Sequence, residues 1–188
     1  MRARHITGAT AAALALTALG SLPAAYGATG TDASPVALPR CAEKDVTVRA
    51  EPSDDSSGVL KLSVRNDSGK ACLVDRVPTV TYGDLDGAAL PLPTVPHAGY
   101  TLAAHDTAYA AVRSVSDSDD AQEESRTVLY VTVAAVPDHD GSRFQALTLG
   151  SPAGVHVWEP VTTLWQSTPA RAAQVLQEET TGRGTIAA

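Results

Sequence analysis

The stretch GVLKLSVRN, residues 58–66, alternates apolar and polar side chains with a period of two. Leu60, Leu62 and Val64 fall on one face, and Lys61, Ser63 and Arg65 fall on the other. A pleated strand puts such a set on one side of the backbone, so this segment is expected half-buried on a sheet. The same grammar recurs along the chain. DVTVRA sets Val46 and Val48 against Thr47 and Arg49, and DTAYAAVRSV, RFQALTL and VHVWEPVTTLWQ read as further short strands. RTVLYVTVAAV is the longest β-branched run, with Leu129, Val131 and Val133 on one face and Val128, Tyr130 and Thr132 opposite. Strand-forming residues on both faces predict a central strand covered on both sides.

Turn chemistry separates these runs. NDSGKA follows the second strand with Asn66, Asp67 and Gly69 in turn-compatible positions, and PDHDGS makes a later turn. Asp86-Gly87 lies between TVTY and AAL, a short-range hairpin signal. Pro78 argues against a central strand at that point and favours an edge or a strand start. PLPTVPHAG is expected as loop. Near the end, STPARAAQVLQEE offers Ser167 or Thr168 as an N-cap with Pro169 in the first turn, which predicts one short helix; TTGRGTIAA is expected to be disordered. With aromatic residues at only 4%, the core must be built from Val, Leu and Ala.

Seven to nine short strands with turns between them predict an all-β fold, an antiparallel sandwich of immunoglobulin-like architecture. A closed barrel shares the periodicity and stays open as an alternative. The antibody-type pairing of a disulfide with a strand-C tryptophan is absent, because both cysteines fall early and Trp158 and Trp165 come late.

The first residues bear on compartment. Arg2 and Arg4 form a basic n-region, and ITGATAAALALTALG is apolar but short for a membrane span. Small residues at Ala25 and Gly27 suit a signal-peptidase cut after Gly27; an uncleaved N-terminal anchor is the alternative. Cys41 follows Pro39-Arg40, which is not a lipobox. The expected organisation is a signal peptide over 1–27, a flexible leader over 28–40, a β-sandwich domain over 41–167 and a C-terminal tail over 168–188. The expected location is secreted, extracellular or associated with the cell envelope.

Export changes the meaning of two cysteines. In an oxidising compartment a lone even pair is most simply a disulfide. Cys41 and Cys72 would close a loop of about 32 residues, worth about 3.5–4 kcal/mol by loop-closure entropy. A reactive thiol or thiolate metal site would need a CxxC spacing or a basic, partly exposed niche. Neither is visible in the sequence.

The assembled order resembles a known family. Arg40-Cys41 is followed by VLKLSVRNDSGKACLVDRVPTVTYGDLDG, with Asn66 before the turn, Cys72 after it, and Pro78 and Asp86-Gly87 beyond. YTLAAHDTAYAAV and a late LYVTVAAVPDHDG complete the pattern. Over residues 40–165 this is similar to the exported actinobacterial domain-of-unknown-function family 4232. The resemblance implies a secreted or envelope-attached β-sandwich with Cys41 paired to Cys72. It implies no reaction and no catalytic residues.

Candidate chemistry is sparse. A net charge of −7 argues against nucleic acid and against adhesion to anionic membranes. Asp84, Asp86 and Gly87 form a D-x-D-G pattern, but the glutamate that would close a calcium loop is missing from AALPLP. The acidic stretch 116–125 carries Asp117, Asp119, Asp120, Glu123 and Glu124 and reads as a solvated, mobile loop, with cation binding left open. Asp138-His139-Asp140 reads as a turn. His97, His105 and His156 lie in separate segments without metal-ligand spacing, and no G-x-S-x-G elbow is present. No catalytic residue, metal or cofactor is expected. The function expected is a non-catalytic binding or envelope module that contacts an extracellular protein or glycan; the alternative is a secreted hydrolase or an accessory domain of one.

Overall fold

The structure is a computed structural model, and it describes residues 37–94, 98–116 and 121–181. The expected signal peptide, the leader up to residue 36, His97, residues 117–120 of the acidic stretch and the tail from 182 onward lie outside the described residues.

The described residues form an all-β fold with one C-terminal helix. The strands are β1 (Val46–Pro52), β2 (Val59–Asn66), β3 (Cys72–Val74), β4 (Thr79–Tyr82), β5 (Leu90–Leu92) and β6 (Tyr100–Leu102). They continue with β7 (Thr107–Arg113), β8 (Arg126–Val128), β9 (Tyr130–Ala134), β10 (Ser142–Gln145), β11 (Val155–Val157) and β12 (Val161–Thr163). The helices are α1 (Ala121–Glu124), a single turn, and α2 (Pro169–Thr181). One sheet has the order β1-β2-β7-β12-β5 and a second the order β10-β9-β4, while β11-β8 and β3-β6 form two further pairs. Among the described strands every ladder is antiparallel except that of β12 with β5.

The period-two reading of β2 holds. Leu60, Leu62 and Val64 are buried, and Val64 sits opposite Val48 of β1 and Ala108 of β7. The core that they enter contains Val80, Val131, Val133, Leu102 and the fully buried Trp165. β7 is covered on both faces, which explains its alanines. Ala108, Ala110 and Val112 join that core, whereas Ala111 and Tyr109 meet α2. Small side chains let a helix and a core approach one strand closely from opposite sides. On α2 the buried residues Ala172, Val175 and Leu176 recur at the helical spacing, and the helix packs on β7, β12 and β5. Thr168 caps it, its Oγ1 accepting from the Arg171 N–H at 3.2 Å.

β12 leaves the ladder early. Beyond the Thr162–Val112 pair, the buried Thr163 Oγ1 accepts from the Ala111 N–H at 3.0 Å, in the place of a backbone carbonyl. Pairing resumes where Tyr109 and Gln166 exchange backbone bonds. The break turns Trp165 into the core.

Several expectations are corrected. Among the described residues twelve strands appear rather than seven to nine, chiefly because continuous runs are divided. RTVLYVTVAAV is two strands in different sheets. Val128 and Val131 are both buried although three residues apart, and they belong to separate strands because the chain breaks at Leu129, left 68% exposed. β9 is central between β4 and β10, but Tyr130 and Thr132 are only half-buried. Asp86-Gly87 does not join a hairpin. β4 pairs with β9, and the chain then crosses to make β5 beside β12. Pro91 and Leu92 of β5 lie in the stretch expected as loop. Pro78 does precede a strand start, and β4 is an edge. In the acidic stretch, residues 121–124 form α1 with Ala121 buried, an apolar anchor that the composition hid. α2 lies on the sheet rather than trailing from it.

The cysteines are joined, Cys41 to Cys72, across a sequence separation of 31. The bond is seated in backbone pairing: Cys41 N–H donates to Leu73 O at 2.8 Å, and Leu73 N–H donates to Pro39 O at 2.9 Å. The last residues of the expected leader are thereby tied to β3.

Beside it lies the feature that organises the NDSGKAC turn. Asn66, read from sequence as a turn residue, is fully buried. Its Nδ2 donates to Lys70 O at 2.8 Å, Ala103 O at 3.0 Å and Leu102 O at 3.3 Å. Its Oδ1 accepts from the Ser68 N–H at 3.0 Å and the Ser68 hydroxyl at 2.7 Å. One amide therefore closes the turn after β2 and fastens it to the end of β6.

Candidate functional site

The residues with candidate chemistry are dispersed. Asp84 accepts from the Tyr130 hydroxyl at 2.9 Å, a bond that raises the Tyr130 phenol above its ordinary value, while Arg143 lies 4.1 Å over the Tyr130 ring. Asp86 lies exposed two residues away in the turn, so the D-x-D-G carboxylates serve different neighbourhoods. His105 occupies a left-handed turn position, His139 closes a turn through its backbone N–H to Val136 O, and His156 is exposed on β11. Among the described residues no three His, Cys, Asp or Glu side chains come together as a metal site. Among them, too, no helix is long and apolar enough to cross a membrane.

One place gathers side chains suited to holding a ligand. β8 pairs with β11 so that Arg126 faces Val157, which sets the arginine beside Trp158. Trp158 is fixed through its backbone: its N–H donates to Ser114 O at 2.9 Å, and its carbonyl accepts from the Ser116 N–H at 3.0 Å. The crossover after β4 is tied to the same region, because the Leu90 N–H donates to Pro160 O at 2.8 Å. The result is a cleft divided by Arg126 and Trp158. On one side, a hollow of about 290 Å³ is walled by Leu85, Asp86, Val157, Glu159 and Pro160. On the other, a hollow of about 320 Å³ is bordered by Glu123, Glu124 and Ser125.

Two features mark this cleft. Tyr82 lines it, yet is 2% exposed, and burial pushes its phenol up, with the neighbouring Ser114 hydroxyl offsetting part of the rise. Neither hydroxyl makes a well-formed hydrogen bond to a described residue. A buried hydroxyl without a firm partner is costly and uncommon. Glu159, next to Trp158, has a φ of +46°, a left-handed conformation that costs a non-glycine residue about 1–2 kcal/mol. Such strain gathers at sites where the surrounding structure dictates the backbone.

Other concave places are less equipped. The groove between α2 and the β1–β2 turn is larger, about 660 Å³, but it is lined by small and polar side chains such as Ser53, Ser57, Ala170 and Ala173, with no aromatic face. A notch at Arg40, Asp75 and Arg76 is occupied by its own contacts, with Arg40 paired to Asp75 at 3.1 Å and Arg76 over Tyr100 at 5.5 Å. Sequence reading missed the Trp158 cleft, since Arg126, Tyr82, Asp86 and Trp158 come from separate segments.

A family model described as a domain of unknown function, DUF4232, matches residues 41–166, and the chain belongs to that family. No curated protein and no solved structure matches the chain.

Proposed function

We propose that this DUF4232 member is an exported, non-catalytic binding module of immunoglobulin-like β-sandwich architecture. It holds an extracellular or cell-envelope ligand in the cleft that Arg126 and Trp158 divide. The observation that carries this reading is the placement of Trp158. It is a large aromatic side chain left half-exposed, its backbone pinned to the end of β7, with concave surface on both sides. A rigid aromatic face supplies contact area at low entropic cost, which is why tryptophan is enriched where binding energy concentrates. The strained Glu159 beside it supports the same reading.

Export is supported by the basic n-region, the apolar run and the small residues before Ala28, together with the Cys41–Cys72 bond. A non-catalytic role is supported by the cleft's composition. Among the described residues Ser125 Oγ stands 3.4 Å from His156 Nδ1, but the pair lies on an exposed surface and no third described group orients the imidazole.

The test is sedimentation of the mature domain, beginning at Ala28, with the envelope fraction of the producing cells. Wild type is expected to be retained, Arg126→Gln and Trp158→Ala to be released, and the bound material to be recovered chemically intact. Equal retention of all three proteins refutes the cleft as the site. Cleaved products in the bound fraction turn the reading towards a hydrolase.

A further inference from the structure

We infer that the ligand of this cleft is a neutral glycan chain whose sugar rings lie on both sides of the Arg126–Trp158 ridge; the inference rests on the binding-module reading above. Charge narrows the ligand class first. Four carboxylates border the two hollows, those of Asp86, Glu159, Glu123 and Glu124, and an anionic ligand would meet all of them. Arg126 stands exposed at the centre of the cleft, its side chain making no ion pair or hydrogen bond to a described residue, so a cationic ligand spanning the ridge would set a like charge against the guanidinium. A neutral polyhydroxylated chain meets neither obstacle, and it uses every group present. Its hydroxyls donate to the carboxylates, which are acceptors only, and accept from the guanidinium, which is a donor only.

The apolar features agree. A sugar ring has one face of C–H groups, which suits the flat face of a half-exposed tryptophan. Leu85 and Pro160 continue that apolar surface on one side. Each hollow alone is at the small end for a ligand site, where about 300 Å³ is the lower bound, whereas a chain spanning the ridge uses both.

Titration calorimetry on the mature domain tests this with tetrasaccharides of glucose, mannose, galactose and N-acetylglucosamine as neutral probes. Tetragalacturonate serves as the anionic probe and tetralysine as the cationic one. Saturable binding of at least one neutral probe is expected, weakened tenfold or more by Trp158→Ala and by Arg126→Gln. The second variant, at an exposed position, should keep the wild-type thermal midpoint. Neutral binding that both variants leave unchanged lies elsewhere and overturns the inference. Binding by tetralysine or tetragalacturonate alone, sensitive to both variants, also overturns it and leaves the binding-module reading standing. No neutral binding while envelope sedimentation still depends on Trp158 has the same effect. If sedimentation and every probe are indifferent to Trp158, the underlying reading falls as well.

Discussion

Replacing Asn66 by Asp keeps the size and shape of the side chain and exchanges its NH₂ for an oxygen. In the wild type that NH₂ faces three carbonyl oxygens, of Lys70, Ala103 and Leu102, at 2.8–3.3 Å in a fully buried position. Two hydrogen bonds to buried carbonyls are lost, each leaving a group whose desolvation costs about 1–3 kcal/mol. The carboxylate would moreover be ionised against oxygen atoms, so burial and the facing carbonyls raise its pKa in the folded protein above the ordinary value of about 3.9. Below that value the variant is protonated both folded and unfolded, and its O–H restores one donor. As pH rises through the unfolded pKa, the unfolded chain releases its proton first. Stability then falls by about 1.4 kcal/mol per pH unit until the folded pKa is reached. Asn66→Asp should therefore lose about 3–5 kcal/mol at neutral pH and distinctly less near pH 4. Urea melts of variant and wild type at both pH values measure the difference and cancel the titration of all other groups. A loss under about 1 kcal/mol at pH 7, or an equal loss at both pH values, would refute the role given to this amide.

Three further outcomes are expected. Cys41→Ala, Cys72→Ala and the double variant should lose the same stability, about 3.5–4 kcal/mol, because each removes the one bond that closes a separation of 31 residues; a thiol assay should find no free thiol before reduction. Gly141→Ala should cost at least about 2 kcal/mol by thermal melting, since Gly141 has a φ of +75° and an added Cβ would stand 2.7 Å from Val133 O in the β9–β10 turn. Glu159→Gly should raise stability by about 0.5–1 kcal/mol by relieving the left-handed strain beside Trp158, and an unchanged or lower melting midpoint would show that this backbone stores no strain.

The legible parts of this fold are those governed by local pattern. β2 announces itself because its buried face repeats at every second residue within one segment, and the Thr168 cap and Pro169 mark the start of α2 by chemistry confined to one turn. What sequence reading misplaced depends on partners far along the chain. β5, with the sequence Leu-Pro-Leu, is a strand only because β12 supplies a parallel neighbour, and the Asp86-Gly87 turn opens a crossover only because β9 has already claimed β4. Asn66 was readable as a turn residue but not as a buried one, since the carbonyls of Leu102 and Ala103 lie 36 and 37 residues away. The candidate cleft was illegible for the same reason. Arg126 reaches Trp158 through the β8–β11 register, and no short motif joins them.

In a binding module built around this cleft Trp158 must touch the ligand, and the chain has only two tryptophans. Trp165 is fully buried in the core and Trp158 is half-exposed in the cleft, so a ¹H–¹⁵N spectrum of the mature domain should show two indole signals with opposite fates. On titration with solubilised envelope glycans, the Trp158 indole is expected to shift progressively to saturation while that of Trp165 stays in place. Saturable binding that leaves the Trp158 signal unmoved would contradict the assignment of this cleft as the binding site.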